Sequence, residues 1–388
     1  MMGGLRILFN VFNIYGRGTY RRAFFFAKEL VKEGEKVDIL CSSKNQKRYV
    51  SEVDGVRIIA LPNLFAGSIV NGYEPLNIML RCLWAINKNY DIVHSFETRP
   101  SVLLSSLILK YKGAIWVVDW ADWFGKGGAV EERENFFLRN LLRPIETFFE
   151  NTRKFASGIS AISNFLRERS ILLGFPPQRV LYLPNGASPE EFQKDIPSNI
   201  KEALSLPIES QIIGYVGAAF SRDLELMMNA FEKVVTSCPN VFLLWVGNNS
   251  HTIITKKSKN VICTGYVSEN ILPYYLQVCD VFWLPLRKSN ANIARIPLKL
   301  MDYLASGKPI IATKVGDIPN IIGDNQVGFL VDDNPQDIAT VTIKLLSDEK
   351  MMREFGFNSL ELVEKKYKWS ALCSQLKEFY SYLLDQRI

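Results

Sequence analysis

The stretch QIIGYVGAAFSRDLELMMNAFEKVV, residues 211–235, changes period at its centre. QIIGYVG is a short apolar run closed by glycine, the pattern of a buried strand. LELMMNAFEKVV then repeats apolar residues at helical spacing. A strand, a turn of small residues and a helix open a βαβ unit, and this one opens just past mid-chain.

The pattern continues downstream. VFLLWVG (241–247), NVICTGYV (260–267), DVFWLPL (280–286), KPIIAT (308–313) and GFLV (328–331) read as later strands of the same unit. Upstream, RILFNVF (6–12) is a buried strand followed by the turn YGRG and a helix in which Ala23, Phe26, Ala27, Leu30 and Val31 recur. KVDILCS (36–42), VRIIALP (56–62), DIVHSF (91–96), AIWVVDW (114–120), ASGISAIS (156–163) and RVLYLPNG (179–186) complete a first set. Short β-rich runs alternating with helices imply parallel sheets with crossovers. PEEFQKDIPSNIKEALSLP, rich in proline and charge, reads as the approach to the second unit. The expected fold is α/β, with two doubly wound, Rossmann-like domains facing an interdomain cleft at the carboxyl ends of their strands, where ligands bind.

Composition narrows the classes. The 388 residues suffice for two domains, and 48% hydrophobic with 22% charged residues is globular. A net charge of +6 permits a phosphate-bearing ligand or an anionic membrane surface. No RNP-like aromatic pair, zinc-finger spacing or basic block is present, so nucleic acid is not an expected partner. Six scattered cysteines without CxxC, and two histidines, give no metal pattern and suit a reducing compartment. MMGGLRILFNVFN suits a first strand better than a signal peptide, and apolar runs such as SVLLSSLIL fall below the roughly 18 residues that span a bilayer. A cytoplasmic protein is expected.

The segment ARIPLKLMDYLASGKPIIAT, 294–313, carries the densest chemistry. Pro297 pre-sets backbone φ for a helix start, whose free N–H groups and positive dipole end suit phosphate. Lys299 adds a mobile charge and Arg295 a bidentate donor. Asp302, an acceptor only when ionised, fits ribose hydroxyls. Lys299 and Asp302 also read as a surface helix pair.

Together, ASGISAISNFLRE, RVLYLPNGAS, IGYVGAAFSRDLELMMNAF, VICTGYVSENILPYYLQVCDVFWLPL, PLKLMDYLASGKPIIATKVGDIPNII and GFLVDD resemble the GT-B glycosyltransferases of retaining family 4, the group 1 glycosyltransferases. The resemblance implies an acceptor-side domain over 1–187, a nucleotide-sugar-binding domain over 188–368, and a C-terminal helix, 369–388, returning to the first. It also implies a hexosyltransferase-type enzyme that uses a nucleotide-diphosphate sugar as donor, with no tightly bound cofactor and no required metal. The acceptor would be a glycan or lipid-linked glycan in cell-surface polysaccharide or glycoconjugate synthesis. Two glutamates eight positions apart are usual in the family. Here Ala294 stands at the first position and Asp302 at the second, so the ribose role passes to Asp302 and the first role has no heir.

Further donor candidates are Gly217 and Arg222 in YVGAAFSRD, and Tyr266 and Val267 in TGYV, which resemble the pyrophosphate and base borders. Ala218 occupies the usual arginine position. Gly16 and Gly18 of YGRG would let backbone N–H groups approach a phosphate, or form a plain tight turn. On the acceptor side, DWADWFGKGG offers Asp119 and Asp122 without the family's histidine. His94 in DIVHSF reads equally as a sugar contact or a satisfied strand-end histidine. The family's front-side attack, in which the leaving phosphate takes the acceptor's proton, asks for positioning and charge stabilisation, which Arg295 and Lys299 supply.

ERENFFLRNLLRPIETFFENTRKF, 132–155, places Phe137, Leu141, Ile145 and Phe148 on one helical face beside arginines, with Pro144 expected to kink or divide the run. It is a candidate peripheral contact on the inner face of the plasma membrane, and equally a core-facing helix weakened as a basic surface by Glu146 and Glu150. Rival functions are a GT-B sugar-nucleotide epimerase or inverting transferase, and a non-catalytic sugar-nucleotide-binding module.

Overall fold

The structure is a computed structural model describing residues 4–64, 71–192, 197, 199–219, 221–247 and 258–386, with the side chains of residues 221 and 222 not described. The chain divides into two compact units, Met1–Asn185 with Trp369–Ile388, and Gly186–Lys368.

The first unit holds an eight-stranded sheet: β1 (Arg6–Ile14), β2 (Lys36–Ser42), β3 (Tyr49–Val53), β4 (Val56–Leu61), β5 (Ile92–Phe96), β6 (Ile115–Trp120), β7 (Gly158–Ala161) and β8 (Val180–Tyr182). Their order is β3-β4-β2-β1-β5-β6-β7-β8. Strands buried on both faces read as continuous apolar runs, which is why the parallel strands were legible. β3 was not. It is a partly exposed edge strand joined antiparallel to β4 through Asp54 and Gly55, at φ 51° and 75°, the backbone of a two-residue hairpin turn.

Alternate residues of these strands point to opposite faces. On one face Leu8, Leu40, Val93 and Trp116 carry the helices Pro75–Ile86 and Pro100–Tyr111, with Phe149 of Phe136–Asn151 packed beside them. On the other, helix Thr19–Lys32 meets the C-terminal helix Trp369–Asp385, where Phe25 stacks on Trp369 at 5.0 Å. The helix Phe136–Asn151 runs through Pro144 undivided.

The second unit holds β9 (Gln211–Val216), β10 (Val241–Val246), β11 (Val261–Gly265), β12 (Val281–Leu284), β13 (Ile310–Thr313) and β14 (Gly328–Val331). All pairs are parallel, in the order β11-β10-β9-β12-β13-β14. Its core gathers Ile213, Tyr215, Phe231, Trp245 and Trp283. In each sheet the winding reverses beside the first strand, between β1 and β5 and between β9 and β12. The carboxyl ends at such reversals open a crevice for ligands. Among the described residues, no helix is long and apolar enough to cross a membrane.

Candidate active site

In the second unit the reversal between β9 and β12 is where the chemistry collects. β9 ends in Gly217 at φ 88°, in the left-handed region that favours glycine. A Cβ on Gly217 would sit 3.6 Å from Lys299 Nζ, and one on Gly247 would meet Gly217 Cα at 2.9 Å. The turn is held from three sides. Trp245 Nε1 donates to the Gly217 carbonyl at 2.9 Å, Val216 N–H donates to the Tyr303 hydroxyl at 2.8 Å, and the Tyr215 hydroxyl donates to the Ala218 carbonyl at 3.2 Å. Stacking on Phe282 at 4.2 Å fixes Tyr303.

β12 leads into the loop that carries the cations. Ser289 caps the short helix Asn290–Ile293, and Pro297 opens Leu298–Ala305, whose first turn has no side-chain cap. Uncapped N–H groups at a helix start suit an anion. Lys299 reaches back to β9. Its Nζ donates to the Tyr215 hydroxyl at 2.8 Å and lies 4.0 Å from the ring centroid. Burial, aided by the neighbouring Arg295 guanidinium, pulls this ammonium down to about 7, with Asp223 acting the other way. Arg295 Nη2 donates to Asn292 Oδ1 at 2.6 Å, and Asn292 Nδ2 donates to the Arg287 carbonyl at 2.8 Å.

Asp223 is the residue that sequence reasoning missed. It is buried in the first turn of helix Ser221–Ser237, where its Oδ1 accepts the Arg287 N–H at 2.8 Å and its carboxylate bonds the Asn292 side chain. Burial raises its pKa, with the Arg287 N–H, Arg295 and Lys299 opposing. It thereby ties the glycine turn to the cation loop. The signal was an acid just after a glycine turn, but nothing local tells which cations it faces. Asn292, Tyr215 and Tyr303 were missed for the same reason.

The other donor-side candidates lie in the same unit. Asp302 is buried in Leu298–Ala305, which, with Lys299 bonded to Tyr215, removes the surface-pair alternative. Tyr266 and Val267 lie in the loop beyond β11, Tyr266 exposed and Val267 half-buried. Arg222 falls in helix Ser221–Ser237, but its side chain lies outside the described residues.

In the first unit the turn after β1 holds Gly16 and Gly18 at φ 73° and 58°. Asn13 Oδ1 accepts the Thr19 N–H there at 3.1 Å, starting the next helix. Across the reversal, Glu97 follows β5 with φ 74°, a strained conformation for a side chain of its size. It is buried, pairs with Arg153, and its Oε1 accepts the N–H groups of Ala121 and Asp122 at 2.9 and 3.1 Å. Burial pushes its carboxyl up to about 7. Glu97 thus sets the loop that presents half-buried Asp122.

Two acceptor-side expectations need correction. His94 is enclosed within β5, with Nδ1 2.6 Å from the Tyr380 hydroxyl and Nε2 3.0 Å from Ser160 Oγ. Both ring nitrogens are engaged and burial pulls it down to about 4, so it is a structural histidine. Asp119 is likewise buried. It pairs with Arg22 at 2.9 Å and accepts from Ser160 Oγ at 2.8 Å, while Arg22 donates to the carbonyls of Leu183 and Pro184. Both side chains are closed off from solvent. Their strand-end positions promised exposure, and packing on Tyr380 and Arg22 removed it.

Comparison with known proteins places this geometry. Residues 17–186 match the glycosyl transferase 4-like domain, and residues 210–348 match glycosyl transferases group 1. The GDP-mannose-dependent alpha-(1-6)-phosphatidylinositol monomannoside mannosyltransferase of Mycobacterium tuberculosis is 22% identical over 233 residues, covering 57% of this chain and 60% of that protein. The chain thus spans about 60% of the length of this curated relative. Sucrose-phosphate synthase from Thermosynechococcus elongatus superposes with a TM-score of 0.74 at 16% identity, covering 98% of this chain and 100% of that one. Anabaena HepE, solved with UDP-glucose, gives 0.71 at 14% identity, covering 97% and 100%. With a Rossmann-like sheet in each unit and both family matches together spanning most of its length, the chain belongs to the glycosyl transferases group 1 and has the GT-B fold.

Proposed function

We propose that the protein is a retaining, hexosyltransferase-type glycosyltransferase that moves a sugar from a nucleotide-diphosphate sugar to a glycan or lipid-linked acceptor. One observation carries this: the bare Gly217 turn lies against Lys299, on the same reversal as Arg295 and an uncapped helix start. That combination recognises a diphosphate, through close backbone approach, two cations and free N–H groups. The departing diphosphate gains negative charge as the glycosidic bond breaks, so pre-placed cations stabilise the transition state more than the ground state. Asp302 would take the ribose hydroxyls. Asp122, on the loop held by Glu97, is the remaining acceptor-side acid.

In the retaining reading no protein carboxylate attacks the sugar. The leaving phosphate oxygen accepts the acceptor's proton while the new bond forms on the same face. HepE was solved with UDP-glucose, which supports a nucleotide-sugar donor here without naming its base. The setting is cytoplasmic, in cell-surface polysaccharide or glycoconjugate synthesis. Segment 132–155 is a proposed peripheral contact with the inner membrane face.

A thermal-shift panel of UDP-, GDP- and ADP-sugars tests the donor site. One series should stabilise the protein, and Arg295→Ala or Lys299→Ala should abolish its shift. No shift from any series would end the proposal. Incubation of the stabilising donor without acceptor separates an epimerase, which changes the sugar. Binding without transfer across an acceptor panel would indicate a non-catalytic module.

A further inference from the structure

More than half of the exposed large hydrophobic side chains among the described residues lie between Met79 and Phe155. All but Phe155 come from three helices stacked on one face of the first unit's sheet. Helix Phe136–Asn151 turns Phe137, Leu141 and Phe148 outward at 83%, 63% and 64% exposure, so the core-facing alternative fails. Helix Pro75–Ile86 turns out Met79, Leu83 and Ile86 at helical spacing, and Pro100–Tyr111 turns out Leu104 and Tyr111. Large apolar patches on a monomer mark an interaction site.

Charge on these helices has one sign at the surface. Their only carboxylates are Glu146 and Glu150, and both are buried, against Arg99 and Arg169 respectively. The objection that these acids spoil a basic surface is therefore removed. Glu131, Glu132 and Glu134 precede the third helix, Glu131 paired with Arg143. At the opposite end three lysines gather among the apolar tips. Lys112 Nζ donates to the carbonyls of Ile86 and Lys88, both at 2.6 Å, and Lys110 Nζ donates to the Phe155 carbonyl. Lys154 Nζ lies 5.2 Å from the Phe155 ring centroid. These contacts place Lys110, Lys112 and Lys154, with the backbone of Lys88, in one corner with Ile86, Tyr111 and Phe155.

We propose that the outer face of these three helices docks on an anionic lipid bilayer. The apolar tips enter the boundary between headgroups and acyl chains, and the lysine corner meets headgroup phosphates. Cations beside apolar tips, with no exposed acid on the three helices themselves, suit a headgroup layer. The surface is independent of the donor site and extends well beyond residues 132–155.

The test is co-sedimentation of the full chain with phosphatidylcholine vesicles, with and without phosphatidylglycerol. The wild type should pellet with the anionic vesicles and be released by salt. A Lys110→Gln, Lys112→Gln, Lys154→Gln variant should bind on the order of a hundredfold more weakly at low salt. Phe137→Ser, Leu141→Ser, Phe148→Ser, all at exposed positions, should lose binding at every salt concentration. Unchanged melting temperature and donor-induced shift would show that each variant is folded. Wild type left in the supernatant at low salt, or variants that bind equally, would overturn the proposal. A concentration-dependent dimer abolished by the serine variant, with no vesicle binding, would also overturn it and assign the face to a second copy. Inorganic phosphate that fails to displace the protein from vesicles would support a lipid surface, whereas full displacement at constant ionic strength would reduce the site to free-phosphate binding and overturn it.

Discussion

Lys299 Nζ donates a 2.8 Å hydrogen bond to the Tyr215 hydroxyl and at the same time lies 4.0 Å from the centre of that ring. The ammonium is parked against β9, beside the Gly217 turn and short of full charge at neutral pH. Burial takes it from its ordinary value of 10.5 to about 7. An anion bound at the turn would favour the charged form.

Donor binding should therefore take up a proton. Titration calorimetry with the nucleoside diphosphate of the stabilising donor, in buffers of different ionisation enthalpy near pH 8, should show a heat that depends on the buffer. Lys299→Met should remove that dependence and weaken binding about 10- to 100-fold, as for a lost charge-assisted bond. Equal heats in all buffers would sink the idea. The sign for stability follows. Between about 7 and 10.5 the unfolded chain holds the Lys299 proton and the folded chain does not, so Lys299 makes stability rise with pH across that window.

Asn292 holds Arg295 at 2.6 Å and is itself bonded by Asp223. Asn292→Ala should loosen the guanidinium and cost about tenfold in diphosphate affinity, within the range for a hydrogen bond to a charged group. Asp223→Asn removes the acid that supports the Lys299 charge, so the pH at which diphosphate affinity falls away should move down. Affinity measured from pH 6 to 9 checks both. A drop in melting temperature with an unmoved pH profile would leave Asp223 a purely structural acid.

The proposed function gives the ribose to Asp302, which is buried in helix Leu298–Ala305. Asp302→Asn keeps the volume but turns one acceptor into a donor. Binding of the ordinary nucleoside diphosphate should weaken, while a 2′,3′-dideoxyribose analogue should be barely affected. Equal losses for both ligands would move Asp302 out of the ribose site.

His94 belongs to the packing of the C-terminal helix. His94→Phe strands the Tyr380 hydroxyl and the Ser160 contact, which should cost about 1 to 3 kcal/mol of stability with kcat/KM unchanged. In the wild type the folded ring titrates near 4 against an ordinary 6.5, so the unfolded chain takes up that proton first. His94 therefore lowers stability as pH falls through that window, and the variant's acid limb should be shallower. Activity falling at unchanged stability would return His94 to the active site.

The parallel strands, the crossover helices and the glycine turns at Gly16, Gly18 and Gly217 were legible in the sequence. Periodicity and the need for bare backbone are local properties, visible in a few adjacent residues. The edge strand β3 escaped because YVSEV is half-exposed and lacks an apolar run, although Asp54-Gly55 marked its hairpin. Arg295 and Lys299 stood out in the sequence because helix-start chemistry is also local. The sequence by itself thus determined a doubly wound α/β chain and marked the cation-bearing segment near residue 299. Only the tertiary structure decided which polar groups share a site. Asp223 and Arg295 meet through Asn292 because β9 and β12 are neighbours, and Phe137 and Met79 share an outer face because their helices stack on one sheet. His94 and Asp119 were lost to the core for the same physical reason. Strand ends look alike in sequence, and exposure depends on what a distant helix, carrying Tyr380 or Arg22, lays over them.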